Sequence, residues 1–278
     1  MVVFPCAKIN LGLNIVARRP DGYHDIETVF YPIPLHDNLE VISAPNATQP
    51  CLLHETGLQL DGSPDNNLVV KVYRQLREDY PQIPPVEVWL HKRIPSGAGL
   101  GGGSSDAAFM MRLLNEEYEL GMDDDDVEFR LSRIGADCPF FYHARPAYAT
   151  GIGDELTPID FELSGWNLVL VKPRVHVSTR EAYALVTPRA SSESLLLSLS
   201  RPVETWRDTI KNDFELSVFQ RYPEISAIKQ TLYDMGAVYA SMSGSGSSVF
   251  GLFRNRQPEA EEVFRDCFVS EMRLRSFL

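Results

Sequence analysis

Lys92-Arg93-Ile94-Pro95-Ser96-Gly97-Ala98-Gly99-Leu100-Gly101-Gly102-Gly103-Ser104-Ser105-Asp106 is the stretch on which the fold turns. Five glycines fall within residues 97–103, which is costly in chain entropy and useless to a core. Their missing side chains let main-chain N–H groups approach a ligand closely, and a helix starting just after them points its positive end at the same place. The segment reads as a polyphosphate cradle. Gly97, Gly99 and Gly102 satisfy G-x-G-x-x-G, the dinucleotide fingerprint, but no strand ending in an acidic residue follows about 20 positions later. The G-K-[ST] ending of a P-loop is missing as well, and a purely structural glycine turn stays open. Ser104 and Ser105 at the helix start favour a nucleoside triphosphate, because their hydroxyls can serve phosphate oxygens or a magnesium ion.

Outward from the loop, residues 2–14, 28–33, 38–42 and 85–91 read as strands, short, β-rich and bounded by Pro, Gly or Asp. Leu68, Val72, Leu76 and Tyr80 recur at helical spacing over 67–80. A second helix is expected over 105–119 and a third over 124–134, with the acidic run Asp123 to Asp126 as its solvated start. Beyond 160 the pattern predicts a strand over 166–171, a helix over 179–186, a loop or weak helix in the Ser-rich 190–200, and a helix over 225–235. Strands over 237–242 and 248–253 and a last helix over 259–267 complete it. Without regular β-α-β-α alternation, the class is α+β. Two domains are expected, 1–160 and 161–278.

With 44% apolar and 23% charged residues, 278 residues bury a substantial core. No apolar run approaches the roughly 18 residues of a membrane span, and Pro5, Lys8 and Asn10 interrupt what a signal peptide needs unbroken. A cytoplasmic protein is expected, with no membrane partner. The net charge of −12 argues against a nucleic-acid partner. Cys6, Cys51, Cys138 and Cys267 lie far apart, and the six histidines are scattered, so no protein-built metal site is expected. Ser243, Ser245 and Ser247 lack the G-x-S-x-G elbow of a hydrolase.

Residues 95–105 resemble the P-x-x-x-G-L-G-S/G-S-S motif of the GHMP kinases, the family of galactokinase, homoserine kinase and mevalonate kinase. Two more motifs flank it in the expected order, Ala7-Lys8-Ile9-Asn10-Leu11 and Ser243-Gly244-Ser245-Gly246-Ser247-Ser248-Val249-Phe250. Arg19-Pro20-Asp21-Gly22-Tyr23-His24, Asp65-Asn66-Asn67-Leu68 and Gly135-Ala136-Asp137-Cys138-Pro139-Phe140-Phe141 are similar to the members that act on a cytidine diphosphate-linked methylerythritol.

The resemblance implies a ribosomal-protein-S5-like N-terminal domain and a ferredoxin-like C-terminal domain with the active site in the cleft between them. It implies ATP and Mg2+ as cofactors, and phosphorylation of the 2-hydroxyl of that substrate in the non-mevalonate route to isopentenyl diphosphate. The protein is expected as a monomer or weak homodimer. Lys8 and Asp137 correspond to the catalytic pair. Pro95, Ser96, Gly97, Ala98, Gly99, Leu100, Gly101, Gly102, Gly103, Ser104 and Ser105 would hold ATP phosphates, with Asn66 and Lys92 near the adenosine. Asn10, Tyr23, His24, Thr179 and Tyr183 would surround the cytidyl substrate.

Taken alone, Lys8 reads equally as a lysine snorkelling from a strand edge, and Asp137 as a turn former. Tyr23 and Tyr183 read as half-buried aromatics, and residues 243–248 as a hairpin turn. A homoserine or mevalonate kinase and a non-catalytic binding protein of the same fold are the alternatives.

Overall fold

The computed structural model describes residues 1–59, 63–183, 186–189 and 193–276. Among them are twelve strands: β1 (Val2–Val3), β2 (Cys6–Arg18), β3 (His24–His36), β4 (Asn38–Ser43), β5 (Cys51–Gly57), β6 (Val86–Lys92), β7 (Ala147–Thr150), β8 (Glu155–Pro158), β9 (Asn167–Lys172), β10 (Tyr239–Met242), β11 (Val249–Phe253) and β12 (Phe268–Arg273). The α-helices are α1 (Leu68–Asp79), α2 (Gly102–Glu117), α3 (Asp124–Ser132), α4 (Cys138–His143), α5 (Thr179–Tyr183), α6 (Leu195–Leu199), α7 (Trp206–Thr209), α8 (Phe214–Arg221), α9 (Pro223–Asp234) and α10 (Ala260–Val263). None of the described helices is long and apolar enough to cross a membrane.

The chain divides into two compact units, but not at a single cut near 160. One comprises residues 1–7, 35–96 and 101–144, and the other 8–34, 97–100 and 145–278. The long strands β2 and β3 belong almost wholly to the second.

In the first unit the sheet runs β1-β4-β6-β5, with β5 parallel to β6 and the other pairs antiparallel. Alternation along β6 turns Val86, Val88, Leu90 and Lys92 inward. Helix α1 starts where Asn67 Oδ1 accepts the Val69 N–H at 3.1 Å, and buries Val69, Val70, Val72, Tyr73 and Leu76. The acidic run behaves as expected: Asp123 Oδ1 accepts the Asp126 N–H at 2.9 Å and caps α3.

The second unit holds two sheets, β2-β3-β7-β8 and β10-β11-β9-β12. The latter is antiparallel throughout. Its strands follow the path strand, helices, strand, strand, helix, strand, with the second, third, first and fourth side by side, which is a ferredoxin-like layer. Val169, Val171, Ala240, Met242 and Val249 from its strands pack with Val218, Ile225, Ile228 and Leu232 from α8 and α9.

Several elements differ from expectation. Pro5 splits residues 2–14 into β1 and β2, which enter different sheets. The last helix is only Ala260–Val263, because the chain turns at Phe264 to enter the unforeseen strand β12. The Ser-rich stretch contains α6, with residues 190–192 outside the described set, as are 184 and 185 of the helix expected over 179–186. All four cysteines are free; Cys6 and Cys138 are buried.

Candidate active site

Along β2, Ala7, Ile9, Leu11, Leu13 and Ile15 take one face, while Lys8, Asn10 and Gly12 share the other; all of them are buried. Lys8 is 3% exposed, so it does not snorkel. Its Nζ donates to Asn10 Oδ1 at 2.6 Å and stands 4.6 Å from the centre of the Phe30 ring. Asn10 Nδ2 donates to Thr28 Oγ1 at 2.9 Å, and that hydroxyl donates to the Gly12 carbonyl at 2.5 Å. An enclosed ammonium is expensive to keep unless polar partners surround it, and this strand supplies them.

The glycine loop meets the same strand. The Lys8 N–H donates to the Leu100 carbonyl at 3.0 Å. Ser243 Oγ donates to the Gly99 carbonyl at 2.8 Å, and the Ser248 N–H donates to the Ala98 carbonyl at 3.2 Å. Ala98 and Leu100 are buried anchors, whereas Gly97 is exposed and Gly99 half-buried. Gly99 has φ +75, and a Cβ there would stand 2.0 Å from the Ser243 carbonyl oxygen. Residues 243–248 form the hairpin turn between β10 and β11 and also pack on this loop.

Nearby in the chain's second unit, His24 stacks on Tyr183 with ring centres 4.6 Å apart and planes 17° from parallel. Phe214 meets Tyr183 edge-on at 4.7 Å. Two residues 159 positions apart in sequence, expected around one substrate, are thus brought together. Thr179 Oγ1 lies 3.4 Å from Ser245 Oγ. Tyr23, at 62% exposed, keeps an open ring face. His176, unremarked in sequence, lies against the loop: a Cβ on Gly97 would meet its Cε1 at 2.6 Å.

In the first unit, α2 begins three residues earlier than its apolar spacing suggests, so Gly102 and Gly103 form its first turn. Gly101 precedes it at φ +70 with no side-chain cap. The first N–H groups of such a helix have no partner within it and attract anions. Ser105 Oγ is buried there with no hydrogen-bond partner. Asp137 is half-buried at the position before α4, whose first turn carries Pro139. The neighbouring Cys138 thiol is pushed up to about 11 by burial, against a hydrogen bond from Ser104 that acts downward.

Lys92 departs from expectation. Its side chain is 2% exposed and its ammonium is shared by Asp37 and by Asp106, the latter at 2.6 Å. Only its main chain is left for a nucleotide. Asp37 Oδ1 also accepts the N–H groups of Arg93 at 2.5 Å and Ile94 at 2.8 Å. Lys92 and Asp106 stand at the two feet of the glycine loop, so the ion cluster closes the loop at its base. Burial alone drives the lysine downward, but the two carboxyl groups outweigh it and hold it above its usual value. Asp106 is raised, first by burial and then by Asp37, against the downward pull of Lys92. Its Oδ1 has no hydrogen-bond partner, which suits a protonated acid better than a carboxylate.

A carboxyl whose folded-state value is raised favours the fold below its unfolded value of ~4 and loses that contribution as pH climbs toward the folded value. Asp106→Asn keeps the shape and the oxygen facing Lys92 while removing this titration. Between pH 5 and 8 the variant should therefore lose less stability than the parent, by roughly 1–2 kcal/mol in denaturant unfolding. Parallel pH curves would refute the protonated form.

Residues 67–145 match the GHMP kinases N terminal domain, and residues 195–269 the GHMP kinases C terminal domain. The 4-diphosphocytidyl-2-C-methyl-D-erythritol kinase of Bacteroides fragilis is 51% identical over 275 residues, 99% of this chain and 100% of that one. The chain belongs to the GHMP kinase family. A second such kinase, of Parabacteroides distasonis, is also 51% identical, over 99% of this chain and 100% of its own. Among solved structures, a 4-(cytidine 5'-diphospho)-2C-methyl-D-erythritol kinase superposes with a TM-score of 0.84 at 31% identity, covering 99% of this GHMP kinase and 100% of that chain.

Proposed function

We propose that this GHMP kinase transfers the γ-phosphoryl group of ATP to the 2-hydroxyl of 4-diphosphocytidyl-2-C-methyl-D-erythritol, in the methylerythritol phosphate route to isopentenyl diphosphate. The observation that carries the reading is the enclosure of Lys8, held by Asn10 on a strand bonded to Leu100 of the glycine loop. The acceptor follows from the relatives, which bear its name.

Phosphoryl transfer asks for alignment and for positive charge around oxygens that carry the transition-state charge. The loop from Pro95 to Ser105 offers main-chain N–H groups and the start of α2 to the phosphates. Asp137 orients the acceptor hydroxyl and takes its proton as that oxygen bonds the γ-phosphorus; the bond bridging the β- and γ-phosphates breaks and ADP leaves. Lys8 stabilises the charge that develops. Asn66, exposed in a 3-10 turn over Pro64–Asn66, is free to meet the adenosine.

Mg2+ fits this arrangement. No group of three or more His, Cys, Asp or Glu side chains among the described residues suits a metal, and Mg2+ takes most of its ligands from phosphates and water with only one or two from protein. The Ser104 hydroxyl and the orphaned Ser105 Oγ are hard oxygens at the right end of α2. Bound there, the ion would neutralise charge on the transferring phosphoryl group.

For the cytidyl group, Tyr23 has the open ring and His24 a donor and an acceptor nitrogen for the base edge. ADP release should depend on the cytidyl acceptor; release driven by homoserine or mevalonate instead, or by no acceptor, would overturn the assignment. In the same assay His24→Ala should raise the acceptor KM about 10- to 100-fold, the loss expected when a base-edge hydrogen bond goes, with the KM for ATP nearly unchanged. Equal losses for both would remove His24 from the cytidine.

A further inference from the structure

The segment Lys211-Asn212-Asp213-Phe214-Glu215 drew no attention in sequence, yet its polar side chains are committed inward. Asn212, Asp213 and Glu215 all bond to main chain, and Asn212 and Glu215 are buried. Asn, Asp and Glu are seldom enclosed unless fully partnered. Asn212 uses each of its polar atoms: Nδ2 donates to the Met242 carbonyl and to the Gly244 carbonyl, both at 2.8 Å, and Oδ1 accepts the Phe214 N–H at 3.0 Å. The two carbonyls are those on either side of Ser243. The first lies in the peptide group that enters Ser243 and the second in the peptide group one residue beyond it, so one side chain holds the main chain on both sides of Ser243.

That hydroxyl faces the proposed chemistry. It accepts the Asn10 N–H at 3.2 Å and donates to the Gly99 carbonyl at 2.8 Å, while Asn10 Oδ1 takes the Lys8 ammonium at 2.6 Å. Gly244 leaves no slack: its φ is +54, and a Cβ would lie 3.3 Å from Asn10 Oδ1 and 3.3 Å from the Gly99 Cα. The 211–215 segment is itself fastened to β2. The Leu13 N–H donates to the Lys211 carbonyl at 2.9 Å, the Asp213 N–H to the Leu13 carbonyl at 2.8 Å, and the Ile15 N–H to Asp213 Oδ2 at 2.8 Å. Glu215 adds a second hold on the same turn, accepting the Met242 N–H at 2.9 Å and the Lys229 ammonium at 2.6 Å.

We propose that Asn212 is a positioning residue for phosphoryl transfer: it orients Ser243, which sets Asn10 and the main chain at Gly99, and through Asn10 the ammonium of Lys8. The inference rests on the catalytic role given to Lys8 above. Asn212 touches neither substrate in this scheme, so its removal changes alignment, and a misplacement near 1 Å costs about 100-fold in rate.

The test compares Asn212→Ser, Ser243→Ala and the double variant, with Lys8→Ala alongside, all checked for folding by circular dichroism. Asn212→Ser should lower kcat about 10- to 100-fold with both KM values within about three-fold. The double variant should lose little more than the worse single one, because both act through one hydroxyl. Should Asn212→Ser not fold, Asn212→Asp keeps the volume and the acceptor for Phe214, loses both donors and carries the same comparison. Unchanged kcat in a folded Asn212 variant, or a double variant whose loss is the product of the two, overturns the inference while leaving Lys8 untouched. An active Lys8→Ala overturns the catalytic reading beneath it.

Discussion

Lys8→Ala and Asp137→Asn are each expected to lower kcat roughly 10²- to 10⁴-fold, the range in which a positioned acid–base group or a preorganised charge operates. The two losses have different origins. Asp137→Asn keeps size and polarity at a half-buried position, so the variant should unfold like the parent; what it loses is the capacity to take a proton. Lys8→Ala removes a charge held inside β2, where Asn10 Oδ1 accepts it at 2.6 Å. Losing the partner leaves that oxygen short of a donor, at about 1–3 kcal/mol, but relieves the cost of burying an ammonium. The net change in stability should be small against the change in rate. For both variants kcat and kcat/KM should fall together, the mark of an interaction made in the transition state. Near-parental turnover in both would remove the catalytic pair.

Much of this was legible because local pattern and chemistry agreed. The glycine loop, the helix after it, the acidic start of α3 and the hairpin turn at 243–248 each carry a signal within a few residues. His24 and Tyr183 were placed around one ligand only through resemblance, and their stacking could not be read from two positions so distant. Lys92 shows where periodicity held an unread clue. It falls in phase with Val86, Val88 and Leu90, so its ammonium had to point inward, and an inward ammonium needs carboxylates. Which carboxylates, Asp37 and Asp106, depends on tertiary placement. Strands β5 and β12 escaped notice because both are sheet edges with half-exposed sides and no clean alternation. Asn212 was invisible for a related reason: its partners are main-chain carbonyls, which have no sequence.

The glycine loop allows the hold on structure and the hold on ligand to be separated. Gly99→Ala should be severely impaired before any nucleotide is added, because φ +75 disfavours a side chain and the methyl would stand 2.0 Å from the Ser243 carbonyl. Left-handed backbone alone costs about 1–2 kcal/mol. The carbonyl is main chain and has no rotamer to escape into, so the Ser243 bond to Gly99 and the bond from Lys8 to Leu100 should both loosen. Thermal unfolding should shift down by several degrees and kcat/KM for ATP fall by about 100-fold or more, as alignment is lost. Gly103→Ala should behave in the opposite way. Gly103 is exposed in the first turn of α2, and the nearest atom to an added Cβ is Leu68 Cδ1 at 3.9 Å. Alanine there should leave stability equal or raise it by up to ~1 kcal/mol, since glycine is the poorer helix former. Yet the KM for ATP should still rise, because within the protein the methyl meets nothing closer than ordinary contact, and what remains for it to meet is the bound phosphates. A Gly103→Ala enzyme that is both stable and normal toward ATP would show that the start of α2 does not approach the nucleotide.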